Sequence, residues 1–582
     1  MLTRPTPADV PILIFIISAL VALWAAPNRP AGLVRLYLFL AAVTVFYVLV
    51  NSELRSLKIF SSVFIAFGGA MGVFLVSQYE WTGSVARFQL IGETGTWLNH
   101  VIPNLGLSLP HWNVIRNIMA SLLAISLPVA LLGLLAGKSR NRSSEEVAEI
   151  SWRNSSSINH WFAGSSLILI ILSLILTESR TPWMVFGVIF SLWIWWGLSG
   201  GISLKFPLSR KFTFLIGLGA AFALAGILIM RQPQLLSTLS RIPGPKDYLG
   251  RGEIYSQSWR LAQDTPFTGG GLAAFPALYS TYIRVIPFNA FLNEDTGNSA
   301  YLNLLVEQGW LGVLSYIALL LVSLGVAVGR YSRVKNEYKS FIIAGMLGLG
   351  FVLLQGSVHA TLVATRAIPA LLIPAGLALS GTEDSQLTFN SDGWNDSPPV
   401  LRSRQSGRTR KFASVVALIT VASALVFVFR SDLRSAWYAD LGAVYMSRTE
   451  LADFPSGGWD DRSRVSEIVP AETLFHEALK NNPADITAHH RLGLIAMMRR
   501  DFPAALAQLE IAHRLDPFHR GVRKTLGYTY VWDGRLEQGV HLLMDIPEAK
   551  QELSVYVWWW TTQSRPDLSA RARMAYTLLG DQ

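Results

Sequence analysis

Arg180 stands in LTESRTPW, a very short turn between two apolar runs. A fixed positive charge there needs a partner or a ligand, unless it simply snorkels to the headgroups. The Thr181-Pro182 pair reads as an N-cap and first helical position, which would hold the turn. A second arginine, Arg251, opens RGEIYSQSWRLAQ, where Ile254, Trp259 and Leu261 suit a helix lying at a membrane interface. Pro266 to Gly271 then spell PFTGGG, a turn in which backbone can approach a ligand closely. No GK[ST] follows, so this is not a nucleotide phosphate loop. From Ala300 the chain is expected to be helical, with Glu307 and Gly309 just ahead of the next apolar run. Guanidinium is a permanently charged fork whose geometry suits phosphate, and no DxD-type pair for a divalent ion accompanies these residues.

These residues sit in or beside Arg231 to Trp310, the longest polar interruption in an otherwise apolar first two-thirds of the chain. Connections of that length are functional or disordered. Apolar runs appear at roughly 11–26, 31–50, 59–77, 114–136, 161–177, 181–199, 213–230, 310–329, 341–358, 367–380 and 413–429. Most approach the roughly 20 residues that cross a bilayer, and backbone in lipid must satisfy itself, so helices are expected. The first run lacks a small-x-small cleavage site and reads as a retained helix. The 582 residues are 51% hydrophobic and 15% charged, with mean hydropathy +0.36, which points to a polytopic membrane protein with a soluble part. Nineteen tryptophans suit interfacial anchoring. The absence of cysteine excludes disulfides, thiolate catalysis and cysteine metal sites. The net charge of +10 concentrates beside apolar spans, so the positive-inside rule explains it more simply than nucleic acid, and no nucleic-acid partner is expected.

Lysines and arginines at 138–153, 205–211, 330–339 and 402–411 fall on one side if eleven spans are counted, which makes that side cytoplasmic. The N-terminus is then inside. The 231–300 loop and everything after residue 430 are outside. Arg29 and Arg35 run against this scheme. The segment 381–411, Ser/Asp/Pro-rich and then basic, reads as a disordered cytoplasmic linker, and 412–429 as the last membrane helix. Residues 430–582 carry an internal repeat. Leu492-Gly493 recurs as Leu526-Gly527, Ala478 as Ala512 and Pro483 as Pro517, each 34 residues on, which is the tetratricopeptide period. Small residues belong where the two helices of a repeat cross. Tyr438, Leu441, Gly442 and Tyr445 match a first helix, an insertion falls at roughly 447–468, and Trp558 to Trp560 lie in a capping unit. The expected fold is therefore all-α: a polytopic membrane domain over 1–380, then a tetratricopeptide solenoid over 430–582.

From about Leu176 to Leu314 the chain resembles the O-antigen ligase and O-antigen polymerase family of bacterial membrane glycosyltransferases. TESRTPW, RGEIYSQSW…DTPFTGGGLAAF and NSAYLNLLVEQGWLG carry the resemblance, in that order and with a long loop between helices. A looser likeness is seen at His111-Trp112-Asn113. The resemblance implies transfer of a glycan from an undecaprenyl diphosphate-linked donor, outside the cytoplasmic membrane, with no nucleotide sugar, metal or other cofactor. The acceptor would be a lipid-linked glycan, lipid A core or a protein. A diphosphate leaving group gathers negative charge, and arginines can stabilise it. Arg180 and Arg251 are the leading residues for that role, with Arg260, Arg284 and Lys246 as further donor-binding residues and Tyr301 beside the substrate. Many family members place His-Asn before the Tyr-Leu of the last motif, and that histidine is proposed to activate the acceptor hydroxyl. Here Asn298 and Ser299 stand there, ahead of Tyr301-Leu302. Asn298 can position a hydroxyl but cannot take its proton. Asp295, Glu294 or Glu307 could replace the base, or the acidic pair is a solvated loop, while His359 is expected to be packed or interfacial. A flippase or transporter, or a non-catalytic assembly scaffold whose repeats dock a protein partner, are the competing classes. Inverted helix repeats would favour a transporter, and none is visible.

Overall fold

The structure, a computed structural model, describes residues 4–78, 112–137, 164–174, 251–283, 299–381, 428–452 and 466–580, with single positions between 177 and 191. Every regular element among them is helical. The first group is α1 (Asp9–Ala25), α2 (Arg29–Asn51), α3 (Leu54–Gln78), α4 (Trp112–Gly137) and α5 (Gly164–Leu174). The second is α6 (Arg251–Asp264), α7 (Phe275–Ile283), α8 (Ala300–Arg330), α9 (Asn336–Gly356), α10 (Thr361–Ala364) and α11 (Ile373–Leu379). Among the described residues four helices are long and apolar enough to cross a membrane: Arg29–Asn51, Leu54–Leu75, Ala300–Arg330 and Asn336–Gly356. The expected run at 213–230 lies outside the described residues, as do 413–427 of the expected last span and 382–411 of the expected linker at 381–411.

These helices are apolar on every face, as a lipid-embedded bundle requires. α1 buries Ile12, Phe15, Ala19 and Ala22 and exposes Val10, Leu13, Ile17, Leu20 and Trp24, a second stripe at helical spacing that suits lipid. α1 packs along α8 and α2, while α9 packs along α4 and α11. One end of the bundle is closed by polar bonds. The Tyr47 hydroxyl donates to Asp9 Oδ1 at 2.9 Å, the Arg4 amide donates to Asn51 Oδ1 at 2.9 Å, and Arg330 donates to the Leu379 carbonyl at 3.1 Å. The other end gathers Ala26, the 266–274 turn, Gly309 and Gly356, and it is there that the chemistry-bearing segments meet.

One apolar run departs from expectation. Residues 367–380 do not form a single spanning helix. They make a 3-10 turn at Ile368–Ala370 and then the short α11. Pro369 and Pro374 each lack a backbone donor and restart a turn at its first positions. Every residue of α11 is buried, so this apolarity serves a protein core and not a lipid face.

The C-terminal helices are α12 (Arg430–Glu450), α13 (Val469–Asn481), α14 (Ile486–Met498), α15 (Phe502–Leu515), α16 (Arg520–Asp533), α17 (Leu536–Leu543), α18 (Ala549–Thr562) and α19 (Pro566–Leu578). They pack as successive hairpins, α12 with α13, α14 with α15, α16 with α17 and α18 with α19. The first helix of three pairs carries a glycine at the crossing. A Cβ on Gly442, Gly493 or Gly527 would come within 2.7 Å of Phe475, 2.5 Å of Leu509 or 2.8 Å of Leu543. Asp485 and Asp501 cap α14 and α15 by accepting from Ala488 and Ala504 amides, and left-handed Gly534 ends α16. Lys524 is buried between α16 and α18, with Nζ 3.0 Å from Glu548 and 2.8 Å from Glu552. The Tyr528 hydroxyl supplies a further donor to Glu552, so this charge is fully paired.

Candidate active site at one end of the bundle

α6 begins at Arg251 and lies across the bundle end. Ile254 and Leu261 are buried as the apolar face of the helix. Trp259 stays 43% exposed and meets the Trp310 ring edge-on at 5.8 Å, an aromatic pair suited to an interface. The Tyr255 hydroxyl donates to the Ser357 carbonyl at 3.1 Å, which sets the first turn of α6, and therefore the backbone of Arg251, beside the end of α9.

After α6 the PFTGGG turn inserts into a break in α8. Gly309 has φ +67° and ψ −169°, so the helix stops at Gln308 and restarts at Trp310. The break frees carbonyls, and the turn satisfies them. Gly270 N donates to Val306 O at 2.7 Å and Gly271 N to Glu307 O at 3.2 Å, while Trp310 N donates to Pro266 O at 2.9 Å. Only glycine fits at this crossing. A Cβ on Gly269 would lie 2.3 Å from Glu307 O, and one on Gly309 would lie 2.6 Å from Pro266 O. The turn thus approaches protein backbone as closely as it was expected to approach a ligand. Leu272 N then donates to Ala22 O at 3.1 Å and joins the turn to α1.

Glu307 faces inward at the break. Its Oε2 is 3.4 Å from Arg35 Nη1, its Oε1 accepts from the Phe275 amide at 3.4 Å, and its side chain is 1% exposed. Arg35 also donates to the Val363 carbonyl at 3.0 Å. The arginine that ran against the charge rule is therefore the partner of a buried carboxylate, which accounts for its presence. Ser299 caps α8 and donates to Gly356 O at 3.2 Å, and the Tyr301 hydroxyl donates to Leu353 O at 2.7 Å. Asn303, one turn before Glu307, is fully buried, and neither its amide oxygen nor its amide nitrogen has a partner. An amide so placed can both donate to and accept from a hydroxyl. No cluster of three acidic or histidine side chains suited to a metal occurs among the described residues.

Residues 165–317 match the family model described as O-antigen ligase. No curated protein and no solved structure matches the chain. The match covers the three motifs on which the sequence resemblance rests, and with the apolar helices it supports a membrane glycosyltransferase-like function in polysaccharide assembly. Within the O-antigen ligase segment the structure brings together the α6 backbone at Arg251, the PFTGGG turn, Tyr301 and Glu307, and it adds Arg35 and Asn303. Arg180, Lys246, Arg284, Glu294, Asp295 and Asn298 lie outside the described residues.

The O-antigen ligase segment is also held by the C-terminal helices. Asp440 of α12 is fully buried against the turn, accepting from Thr268 Oγ1 at 2.5 Å, Phe267 N at 2.7 Å and Thr268 N at 3.2 Å. Burial pushes its carboxyl up to about 6 although these three donors pull the other way. Asp264, at the end of α6, pairs with Arg491 and accepts from Thr487 Oγ1 at 3.2 Å. Arg260 meets Asp516 at 3.0 Å. Arg260, expected at the donor, is thus paired with a residue of the C-terminal helices. His490 and His519 lie behind this seam with rings 5.4 Å apart, and burial lowers the pKa of both. Sequence reasoning missed Arg35, Asn303 and Asp440. Arg35 is the one charge within the apolar run 31–50 and Glu307 the charge at the head of another, so their opposite signs were the available signal. Nothing in the sequence links Asp440 to Thr268.

Proposed function

We propose that the chain transfers a glycan from an undecaprenyl diphosphate-linked donor to a lipid-linked glycan, lipid A core or protein acceptor, at the outer face of the bacterial cytoplasmic membrane. The observation that carries this reading is the O-antigen ligase match over 165–317, whose motifs at 251–271 and 299–310 meet at one end of the bundle. In this reading an acceptor hydroxyl attacks the anomeric carbon, the bond to the diphosphate breaks, and Arg180 and Arg251 stabilise the charge left on the diphosphate. Arg284 and Lys246 assist with the donor. Glu294 or Asp295 takes the hydroxyl proton, and Asn298 orients the hydroxyl. Glu307 has both carboxylate oxygens engaged, so it acts as a positioning residue that keeps the break in α8, while Tyr301, bonded to the Leu353 carbonyl, lies beside the substrate. Arg260, paired with Asp516, anchors α6. No metal or other cofactor enters this scheme.

The outward orientation is supported by the chain's own layout. The 266–274 turn and α12 share one end of the bundle, whereas Gly381, against Tyr338, lies at the other, so a crossing between 381 and 430 fits a last span at 412–429. The glycine-crossed hairpins after residue 430 support a tetratricopeptide solenoid that could also receive a protein acceptor or partner. Arg180→Ala and Arg251→Ala should each lower glycan transfer at least about 100-fold while membrane insertion persists. Undiminished transfer in both variants would overturn the assignment.

A further inference from the structure

Beside the PFTGGG turn, the α1–α2 connection and the last turns of α12 border an open pocket of about 420 Å³, lined by Ala26, Asn28, Arg29, Pro30, Arg448 and Ala452. The Arg448 guanidinium lies over the Trp24 ring, 4.5 Å from its centroid, and 5.7 Å from that of Tyr445. These ring faces take up part of its charge but none of its in-plane donors. Its Nε and Nη2 are sealed from solvent and have no hydrogen-bond partner. Burial, and then the like charge of Arg29, lower the Arg448 pKa. Neither Arg29 nor Arg448 pairs with a carboxylate among the described residues. Two guanidiniums that share a cavity repel one another, and desolvated donors without acceptors are costly. An anion with several oxygens held in the pocket offsets the repulsion between the two guanidiniums.

The level of the cavity narrows the class of anion. Trp24 ends the exposed apolar stripe of α1, the position where tryptophan marks the headgroup layer. We propose that this cavity binds the phosphate group of a membrane amphiphile, gripped between Arg29 and Arg448. The guanidinium fork matches phosphate oxygens, and the tail of the amphiphile runs down the lipid-facing side of α1. Because Arg29 belongs to the bundle and Arg448 to α12, the ligand joins the C-terminal helices to the membrane domain a short distance from the Asp440 contact. This site is separate from the transfer reaction proposed above. It is read by binding alone, so either reading can fail without the other.

The test uses the full chain in uncharged detergent, titrated calorimetrically with phosphatidylglycerol in mixed micelles, with farnesyl diphosphate and with inorganic pyrophosphate. Arg448→Gln and Arg29→Gln should each weaken the amphiphile that binds by about tenfold or more, since each removes a charge-assisted contact. Arg333→Gln, at the opposite end of the bundle, should leave binding unchanged and controls for net charge. Selective loss for phosphatidylglycerol supports a bilayer lipid at this site, and selective loss for farnesyl diphosphate would place the donor itself here and overturn a site separate from transfer. Pyrophosphate binding as tightly as either amphiphile would overturn the amphiphile. Failure of the wild-type chain to bind any probe, or unchanged affinities in both variants, would overturn the site. Should Arg448→Gln fail to fold, Arg29→Gln on the exposed connection carries the same comparison.

Discussion

Asp440→Asn and Asp440→Ala separate what the buried carboxylate does as a charge from what it does as an acceptor. The folded value of about 6 lies above the ordinary 3.8, so the folded protein holds this proton more tightly than the unfolded chain. The stabilising contribution of that difference is fully present below about pH 4 and is lost as pH rises through about 6. A gap of about two pH units at roughly 1.4 kcal/mol each gives ~3 kcal/mol between the limits. The contact between α12 and the PFTGGG turn should therefore tighten on acidification from pH 7.5 to 5. Asp440→Asn has the shape of the protonated side chain and should abolish this dependence at modest cost. Asp440→Ala leaves the Phe267 and Thr268 amides buried without an acceptor, at about 1–3 kcal/mol for each unmet donor. Hydrogen exchange of the peptide spanning 265–272 reads both effects. Protection should fall by about 100-fold in Asp440→Ala and should lose its pH slope in Asp440→Asn. An Asp440→Asn protein that kept the wild-type slope, or an Asp440→Ala protein with unchanged protection, would refute the reasoning.

Removing the Arg35 guanidinium strands a buried carboxylate, so Arg35→Ala should cost about 3–5 kcal/mol, and Glu307→Gln should recover part of it in the double variant, measured by denaturation in detergent. Gly309→Ala places a methyl 2.6 Å from the Pro266 carbonyl at a φ of +67°, so it should destabilise the chain by several kcal/mol and raise protease cleavage near 266–271. Arg260→Ala breaks a partly exposed pair with Asp516 and should change stability by no more than about 1 kcal/mol. Its transfer rate should fall far less than that of Arg251→Ala in a parallel assay with lipid-linked donor.

Helix type, the four long apolar helices and the Leu-Gly crossings were legible in the sequence because each follows from local periodicity and residue size. Gly493 and Gly527 announce their partners through spacing alone, since a repeat puts the second helix at a fixed distance. The run 367–380 misled because hydropathy does not separate a lipid face from a protein core, and the two prolines that divide it were the better signal. The PFTGGG turn was recognised as a place of close approach, but what it approaches is the backbone of α8, more than thirty residues onward. Arg260 was read as an anion-binding residue because its type allows it, and its pairing with Asp516 depends on a docking that no local pattern encodes. The candidate site is thus half legible: residue chemistry shows in the motifs, while Arg35, Asn303 and Asp440 enter only through tertiary contact.

Those tertiary partners tie the segment at 251–309 to the C-terminal helices. The PFTGGG turn bonds α8 through its glycine amides and bonds α12 through Phe267 and Thr268, so donors on successive residues face two different bodies. The break at Gly309 could not be maintained by α8 alone, because its freed carbonyls would be buried and unmet without the turn. The turn in turn depends on Asp440 for its first two amides, and α6 on Arg491 and Asp516 for Asp264 and Arg260. Displacement of the C-terminal helices is thereby coupled to the backbone of α6 and of the Gly309 break. Transfer activity should accordingly respond to changes at Asp440 and Arg491, and a C-terminal region serving only as a passive tether would leave it untouched.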